Sequence, residues 1–487
     1  MPGFSVTTFG CQMNQHDSER MEEVLRGGGA TAVAADDADV VILNTCSVRE
    51  KAEQKLRSEV GRWAKVKRER PDLLIVVAGC MAQQEGRSIL AEMPSVDLVL
   101  GPDNIAELPG LLAELRMGSP PLVRTEFDLD APRFLTAPTT LGERPTAFVT
   151  TMKGCNERCT FCVVPNTRGP ERYRSSAELI AEIADLVSRG VREVTLLGQT
   201  VNSYRDPRGA LPRAPEADPG DPDESEFAAL LRAIAAEVPG LVRLRYTSPH
   251  PRHLTPSLIA AHRDLAIMPH HVHLPVQSGS DRMLKRMLRR YRRDEFLARV
   301  ASLRAAVPEA TISTDIIVGF PGETEADFEE TLSLIEAVGF VGVFGFKYSV
   351  RPNTPAERLP DDVPEAEKSR RLARVFDVSE RLVREHLAQQ LGKTLRVLVE
   401  GPSKAREENA TGRSERNEIV HIEDAARVRS RVGEVVEVTV VEAYKHSLLG
   451  RMTEAELART PEGMPTRMRR ALPLLGDKPS PGPRGEA

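Results

Sequence analysis

The sequence predicts an α/β protein in three parts: an N-terminal parallel α/β sheet domain, a central partial (β/α)6 barrel and a small C-terminal OB-like β-barrel. Three observations carry this expectation. The 487 residues exceed one ordinary core, since domains run to about 100–200 residues. Two successive series of alternating strand-like and helical runs fill residues 2–118 and 146–380, and repeated β-α units imply parallel sheets with helices on their faces. Over residues 387–455 the pattern turns to short strands separated by glycine and polar turns, as in a small barrel.

In the first series the strand-like runs are FSVTTFG, DVVILNT, LLIVVAG and VDLVL, with helical segments starting near Asn14, Arg49, Gln84 and Asn104. No glycine fingerprint for a dinucleotide follows the first strand; Cys11 does. Residues 119–145, with Pro120, Pro121, Pro132, Pro138 and Pro145, read as a linker. The second series has strand candidates at Phe148–Met152, Glu193–Leu197, Val242–Thr247, His271–Pro275, Thr311–Val318 and Val343–Tyr348. Helical stretches fall at 176–189, 226–237, 255–263, 280–305 and 325–338, and Arg205–Glu226 is a proline-rich, acidic surface insertion. A helix at 365–391 precedes the runs TLRVLVEG, NEIVHIE and GEVVEVTVVEAY, and residues 460–487 read as a disordered tail.

Composition narrows the class. Hydrophobic residues at 40% and charged residues at 28% exclude a wholly disordered chain. No apolar run approaches the roughly 18 residues of a membrane span, and the N-terminus MPGFSVTTFG lacks the basic region of a secretory signal. The expectation is a soluble, cytoplasmic protein, monomeric and without a membrane partner. A net charge of −5 excludes a chain-wide basic coat, so nucleic-acid binding would rest on local patches. Six cysteines are too few for a disulfide scaffold, and their placement points to metal or catalysis.

Cys155, Cys159 and Cys162 form a C-x3-C-x2-C triplet just after the first strand of the second series, where barrel active sites are built. Three soft thiolates so close in sequence can converge on an iron–sulfur cube with one iron left open; a zinc site borrowing a distant fourth ligand is the alternative. This triplet resembles the signature of the radical S-adenosylmethionine (radical SAM) superfamily. The resemblance implies that the open iron is chelated by SAM and that the reduced cluster cleaves SAM to a 5′-deoxyadenosyl radical.

Cys11, Cys46 and Cys80 each end a strand. In a parallel sheet all carboxyl ends share one edge, so three distant thiols meet there. A second three-cysteine cluster is the expectation, with three inert buried thiols as the alternative. Two such constellations in this order, with the wording FGCQMNQHDSE, LNTCSVRE, AGCMAQ, GCNERCTFCVVPNTRG, LLGQTVNSY, HLPVQSGSDR and DIIVGFPGET, resemble the methylthiotransferase family over about residues 3–453. The resemblance implies two [4Fe–4S] clusters, SAM as both methyl donor and radical source, an electron-donor protein, and an auxiliary cluster that supplies or carries sulfur. CVVPNTRG, LLGQTVNSY and GRSERNEIVHIE look most like the branch that converts N(6)-dimethylallyladenosine beside the tRNA anticodon to its 2-methylthio derivative. Branches acting on threonylcarbamoyl-adenosine or on a ribosomal-protein aspartate stay open, as does a non-catalytic iron–sulfur RNA-binding protein.

The C-terminal module resembles the TRAM domain, although it carries as many acids as bases and Tyr444 is its one aromatic residue. A stronger electrostatic signal is the run Arg282, Lys285, Arg286, Arg289, Arg290, Arg292 and Arg293, which contains no acid. At helical spacing it fills one face opposite Met283, Leu284, Met287, Leu288 and Tyr291, and it is expected to contact tRNA phosphates. A merely solvated helix face is the alternative. Gly198 and Gln199 end the second barrel strand where the superfamily holds the SAM amino group, although its usual glycine-glycine-glutamate triplet is absent. Gln277, Ser278 and Asp315 sit near strand ends as candidate pocket residues or turn formers. Gly319, with Pro321 and Gly322, forms a loop placed to meet the adenosine moiety. His270, His271 and His273 read as strand residues rather than a metal set.

Overall fold

The computed structural model describes residues 2–47, 50–129, 134, 144–403, 408–423 and 425–459. The described residues form two compact units: those up to 134 together with Asn166–Arg168, and those from 144 to 165 and from 169 to 459. The tail expected at 460–487 lies outside the described residues.

The first unit is a six-stranded, all-parallel sheet. Its strands are β1 (Gly3–Phe9), β2 (Thr31–Ala32), β3 (Val40–Thr45), β4 (Leu74–Gly79), β5 (Leu98–Leu100) and β6 (Leu122–Arg124), in the order β2-β1-β3-β4-β5-β6. The runs VVILNT and LIVVAG are buried along their whole length because helices cover both faces of the sheet. Alternate residues serve opposite cores: Val40 and Ile42 pack with Met21 and Leu108, while Val41 and Leu43 pack with Leu56 and Trp63. Strand β6 lies inside the stretch read as a linker. Three residues behind a proline pair give too short a pattern to read, and they suffice as an edge strand.

The second unit opens with the partial barrel: β7 (Thr146–Thr150), β8 (Met152–Lys153), β9 (Arg172–Tyr173), β10 (Glu193–Leu197), β11 (Arg243–Tyr246), β12 (His271–His273), β13 (Thr311–Val318) and β14 (Gly342–Lys347). The six main strands are parallel but hydrogen-bond as two halves, β7-β10-β11 and β12-β13-β14. The small antiparallel pair β8-β9 clasps the cysteine loop between them.

One expected element is corrected. The helix expected at 280–305 is two helices, Asp281–Arg286 and Arg293–Ala306. Leu288 and Arg290 both adopt left-handed backbone (φ 55°), which no α-helix accommodates, so the basic run does not lie along one helical face.

The C-terminal strands β15 (Thr394–Pro402), β16 (Ala410–Ser414), β17 (Ile419–Ile422), β18 (Val435–Ala443) and β19 (Leu448–Met452) close into a barrel in the order β15-β16-β17-β19-β18. Its interior is filled by Val397, Val399, Val420, Ile422, Val436 and Val438. The β16–β17 end of this barrel seats against the amino ends of the β/α strands. Arg243 and Arg245 donate to the carbonyls of Arg413 and Ser414 (both 3.1 Å), and the Thr311 hydroxyl donates to the carbonyl of Arg416 (3.3 Å). Glu193 balances both arginines, at 3.1 Å from each.

Two candidate metal centres

Cys11, Cys46 and Cys80 follow β1, β3 and β4, three adjacent strands, so their shared carboxyl edge gathers the thiols. Cys11 is exposed; Cys46 and Cys80 are buried. The edge is held by a lattice of amides. Asn14 donates to the Asn44 side chain (3.1 Å) and to the Thr45 carbonyl (3.2 Å). Asn44 donates back to the Asn14 carbonyl (2.7 Å) and to Ser18 (2.9 Å). Gly79, just before Cys80, has φ 95°, and a Cβ there would lie 2.3 Å from the Asn44 Oδ1, so the strand-to-helix corner requires glycine.

Charge at this edge comes from Arg168. Its guanidinium is 2.5 Å from Asp17, and both side chains are buried. Burial works against the Arg168 charge, but Asp17 and the thiols of Cys80 and Cys11 outweigh it and keep the guanidinium protonated. A hydrogen bond with Cys46 holds the Cys11 thiol down at about 6, whereas burial pushes Cys80 up.

Cys155, Cys159 and Cys162 lie on the loop clasped by β8 and β9. The Cys155 Sγ is 3.0 Å from the Thr200 hydroxyl, and Arg289 donates to the Cys159 Sγ at 3.3 Å. Burial pushes the Cys155 and Cys162 thiols up to about 12 in the metal-free chain. A bound cation reverses that preference and draws off the thiol protons. Glu157, inside the triplet, lies 3.5 Å from Arg252 and 3.7 Å from His253. Burial opposes its ionisation, and His253 and Arg252 outweigh it, holding the carboxyl below its ordinary range. Asp223 takes up the other ends of this network: it pairs with Arg252, lies 3.3 Å from Arg299, and its carbonyl meets the His253 ring at 2.7 Å. The insertion at Arg205–Glu226 therefore braces the cysteine loop.

Among the described residues, no three His, Cys, Asp or Glu side chains are placed to hold a single metal ion. A cubane, which spreads its thiolates over several irons, asks for a wider set than one zinc does. Each triplet also has unsatisfied polar atoms beside it. The Thr45 and Ser47 hydroxyls, flanking Cys46, are buried without a hydrogen-bond partner among the described residues, and so is the Gln199 Nε2 near Cys155. The donor sets thus fit iron–sulfur clusters, with hydroxyl and amide donors left over for sulfide or for a carboxylate ligand.

The expected cofactor residues are distributed unevenly. Gln199 adjoins the second triplet: its Oε1 accepts the Gly154 N–H at 2.5 Å, and its buried amide nitrogen has no hydrogen-bond partner among the described residues. Gly198 is fixed by packing, since a Cβ would lie 2.7 Å from Met152. Gln277 is left-handed (φ 76°) and bridges to Ile316, and Asp315 is 3.5 Å from His273. Ser278 is fully buried and turned to Thr331 (3.3 Å), a turn position. Gly319 (φ 69°) lies under the Lys368 stem, which a Cβ would meet at 2.3 Å.

The basic run also divides. Arg282 pairs with Asp327, Arg286 donates to the Pro321 carbonyl (3.1 Å), and Arg292 pairs with Asp281 at 3.1 Å. Arg293 donates to Gly279 and Ser333. Arg289 is buried, which removes it from any phosphate-facing surface. Lys285 and Arg290 are exposed, and so are Arg282, Arg286 and Arg292 alongside the partners just named. Asn14, Asn44, Asp17, Thr200 and Arg168 escaped sequence reasoning as site residues, although all five are polar residues inside the motifs that carry the cysteines and Gln199.

Three family models match: Uncharacterized protein family UPF0004 over residues 3–101, the Radical SAM superfamily over 149–335 and the TRAM domain over 388–453. Superfamily membership implies SAM and a [4Fe–4S] cluster. Among solved structures, a radical S-adenosylmethionine methyltransferase, TsrM, from Kitasatospora setae aligns with a TM-score of 0.50 at 14% identity, covering 82% of each chain, a likeness of fold alone. Curated proteins named tRNA-2-methylthio-N(6)-dimethylallyladenosine synthase are far closer in sequence. The one from Bordetella petrii is 44% identical over 93% of this chain and 91% of its own, and the one from Sorangium cellulosum is 62% identical over 98% and 99%. The chain therefore belongs to the tRNA-2-methylthio-N(6)-dimethylallyladenosine synthase family.

Proposed function

We propose that this chain converts N(6)-dimethylallyladenosine in tRNA, beside the anticodon, to its 2-methylthio derivative. The observation that supports this most directly is the pairing of two separate three-cysteine sites, each with hydrogen-bond donors left over, in a chain 62% identical to a curated synthase of that name. A [4Fe–4S] cluster with SAM supplies one-electron, radical chemistry at an otherwise unreactive carbon. The chain's own residues bind and orient. Cys155, Cys159 and Cys162 hold the SAM-cleaving cluster, and Cys11, Cys46 and Cys80 hold the auxiliary cluster that carries sulfur. Thr200 and Arg289 fix two of the thiolates, and Gln199 presents an amide N–H. Gln277, Asp315 and Gly319 line or shape the cofactor pocket. Lys285 and Arg290, with Arg286 and Arg292, meet tRNA phosphates. An electron-donor protein in the cytoplasm completes the cycle.

Mass spectrometry of tRNA nucleosides from a strain lacking the gene tests the substrate. Loss of the methylthio nucleoside with accumulation of its dimethylallyl precursor is expected; unchanged nucleosides would sink the reading. In the purified chain, Cys155→Ala abolishes 5′-deoxyadenosine release. Cys80→Ala leaves release but yields no methylthio product, and equal loss of both in Cys80→Ala would argue against two separate roles.

A further inference from the structure

Arg289 is buried, yet among the described residues no carboxylate pairs with it. Its donors meet neutral or sulfur acceptors: Nη1 the Cys159 Sγ (3.3 Å), Nη2 the Pro275 carbonyl (2.7 Å) and Nε the Tyr291 hydroxyl (3.0 Å), which itself donates to the Val276 carbonyl (2.9 Å). A buried cation without a counter-ion is strongly disfavoured, so the fold must supply negative charge here once the site is filled. The backbone also incurs strain to place this side chain inward: the residues on either side, Leu288 and Arg290, are both left-handed without being glycine. The other triplet makes the contrast, because its buried arginine, Arg168, already has Asp17 as partner.

We propose that Arg289 is the built-in counter-charge of the cluster held by Cys155, Cys159 and Cys162, positioned to favour its one-electron reduction. The inference rests on the reading that this triplet binds a [4Fe–4S] cluster. One-electron reduction adds negative charge to the site. A fixed cation and an N–H···S bond stabilise that charge, and hydrogen bonds to sulfur and net charge are the levers that set such potentials. Arg289 is thus a positioning residue, acting through the cluster rather than on substrate.

The test uses the full chain carrying Cys11→Ala, Cys46→Ala and Cys80→Ala, anaerobically reconstituted with iron and sulfide so that a single cluster is read. Iron analysis comes first. About four irons per chain are expected, and absence of iron would overturn the cluster reading itself. The midpoint potential is then followed by electron paramagnetic resonance during titration with dithionite. Arg289→Gln is expected to disfavour reduction at least tenfold, a fall of about 59 mV for a one-electron couple, while Arg289→Lys stays closer to the parent. A loaded Arg289→Gln cluster with an unshifted potential would overturn the proposal and leave the cluster reading standing. A measurement that needs only a folded parent guards against a Gln variant that does not load. In protein labelled with ¹⁵N-arginine, the reduced cluster should show a nitrogen coupling in electron spin-echo spectra. Absence of that coupling in the parent also overturns the proposal.

Discussion

Arg168 and Asp17, 151 positions apart in the chain, form a 2.5 Å ion pair whose side chains are 3% and 8% exposed. The pair sits beside Cys11 and Cys80 and sets the charge at that cysteine edge. Removing one member leaves the other charge buried and unpaired, which costs about 3–5 kcal/mol. Asp17→Asn and Arg168→Met should each destabilise the metal-free chain by that order, and Asp17→Asn/Arg168→Met should cost less than the two losses added. Urea unfolding followed by the fluorescence of Trp63, the sole tryptophan and fully buried in this unit, reads the effect. Additive losses would show that the pair is not coupled.

The basic run offers fewer phosphate contacts than its charge implies. Lys285→Gln with Arg290→Gln should weaken tRNA binding and flatten the slope of log K against log salt by about 0.7–0.9 for each contact removed. A slope unchanged from the parent's would remove these two residues from the interface.

Asp223 ties Arg252, His253 and Arg299 together behind Glu157 and the cysteine loop. Asp223→Ala should leave the fold intact but speed iron loss to a chelator several-fold, because the loop loses its brace. Far-UV circular dichroism checks the first half of this expectation, and chelation kinetics under anaerobic conditions the second.

Burial holds His262 down at about 4, with the neighbouring His270 adding to the effect. Its ring lies 2.7 Å from the Tyr246 hydroxyl and donates to the Pro269 carbonyl. Between about 6.5 and 4 the unfolded chain binds a proton here that the folded chain refuses. The stabilisation is therefore fully present above about 6.5 and lost as pH falls, by up to about 1.4 kcal/mol for each pH unit. Urea midpoints measured at pH 7 and pH 5 should show a smaller drop in His262→Gln than in the parent.

Much of the architecture was legible in the sequence. The strands Glu193–Leu197 and Thr311–Val318 and the helix Glu325–Val338 match their expected bounds, because apolar runs of the right length end at glycines or caps. The five-stranded C-terminal barrel follows from three short strand runs and the turns between them. Strands as short as Thr31–Ala32 and Leu122–Arg124 leave no periodic trace, and the break at Leu288–Arg290 is set by tertiary contacts that propensity does not register. Side-chain direction was the largest gap. The seven bases between Arg282 and Arg293 read as one phosphate-facing helical face, yet Arg289 turns inward to sulfur and Arg282 turns to Asp327. Asn14 and Asn44 lie within the motifs that carry the cysteines, but nothing local says that they bond to each other.

The seating of the β16–β17 end against β11 and β13 bears on how this chain can be dissected. Arg243, Arg245 and Thr311 spend donors on main-chain carbonyls supplied from more than a hundred residues downstream. Excision of the last barrel would uncap a charged interior and leave two guanidinium groups sharing one glutamate. What the sequence delimits as an appended module is, in physical terms, the stopper of the catalytic fold, and exchanging it between relatives demands that the floor beneath it be exchanged as well.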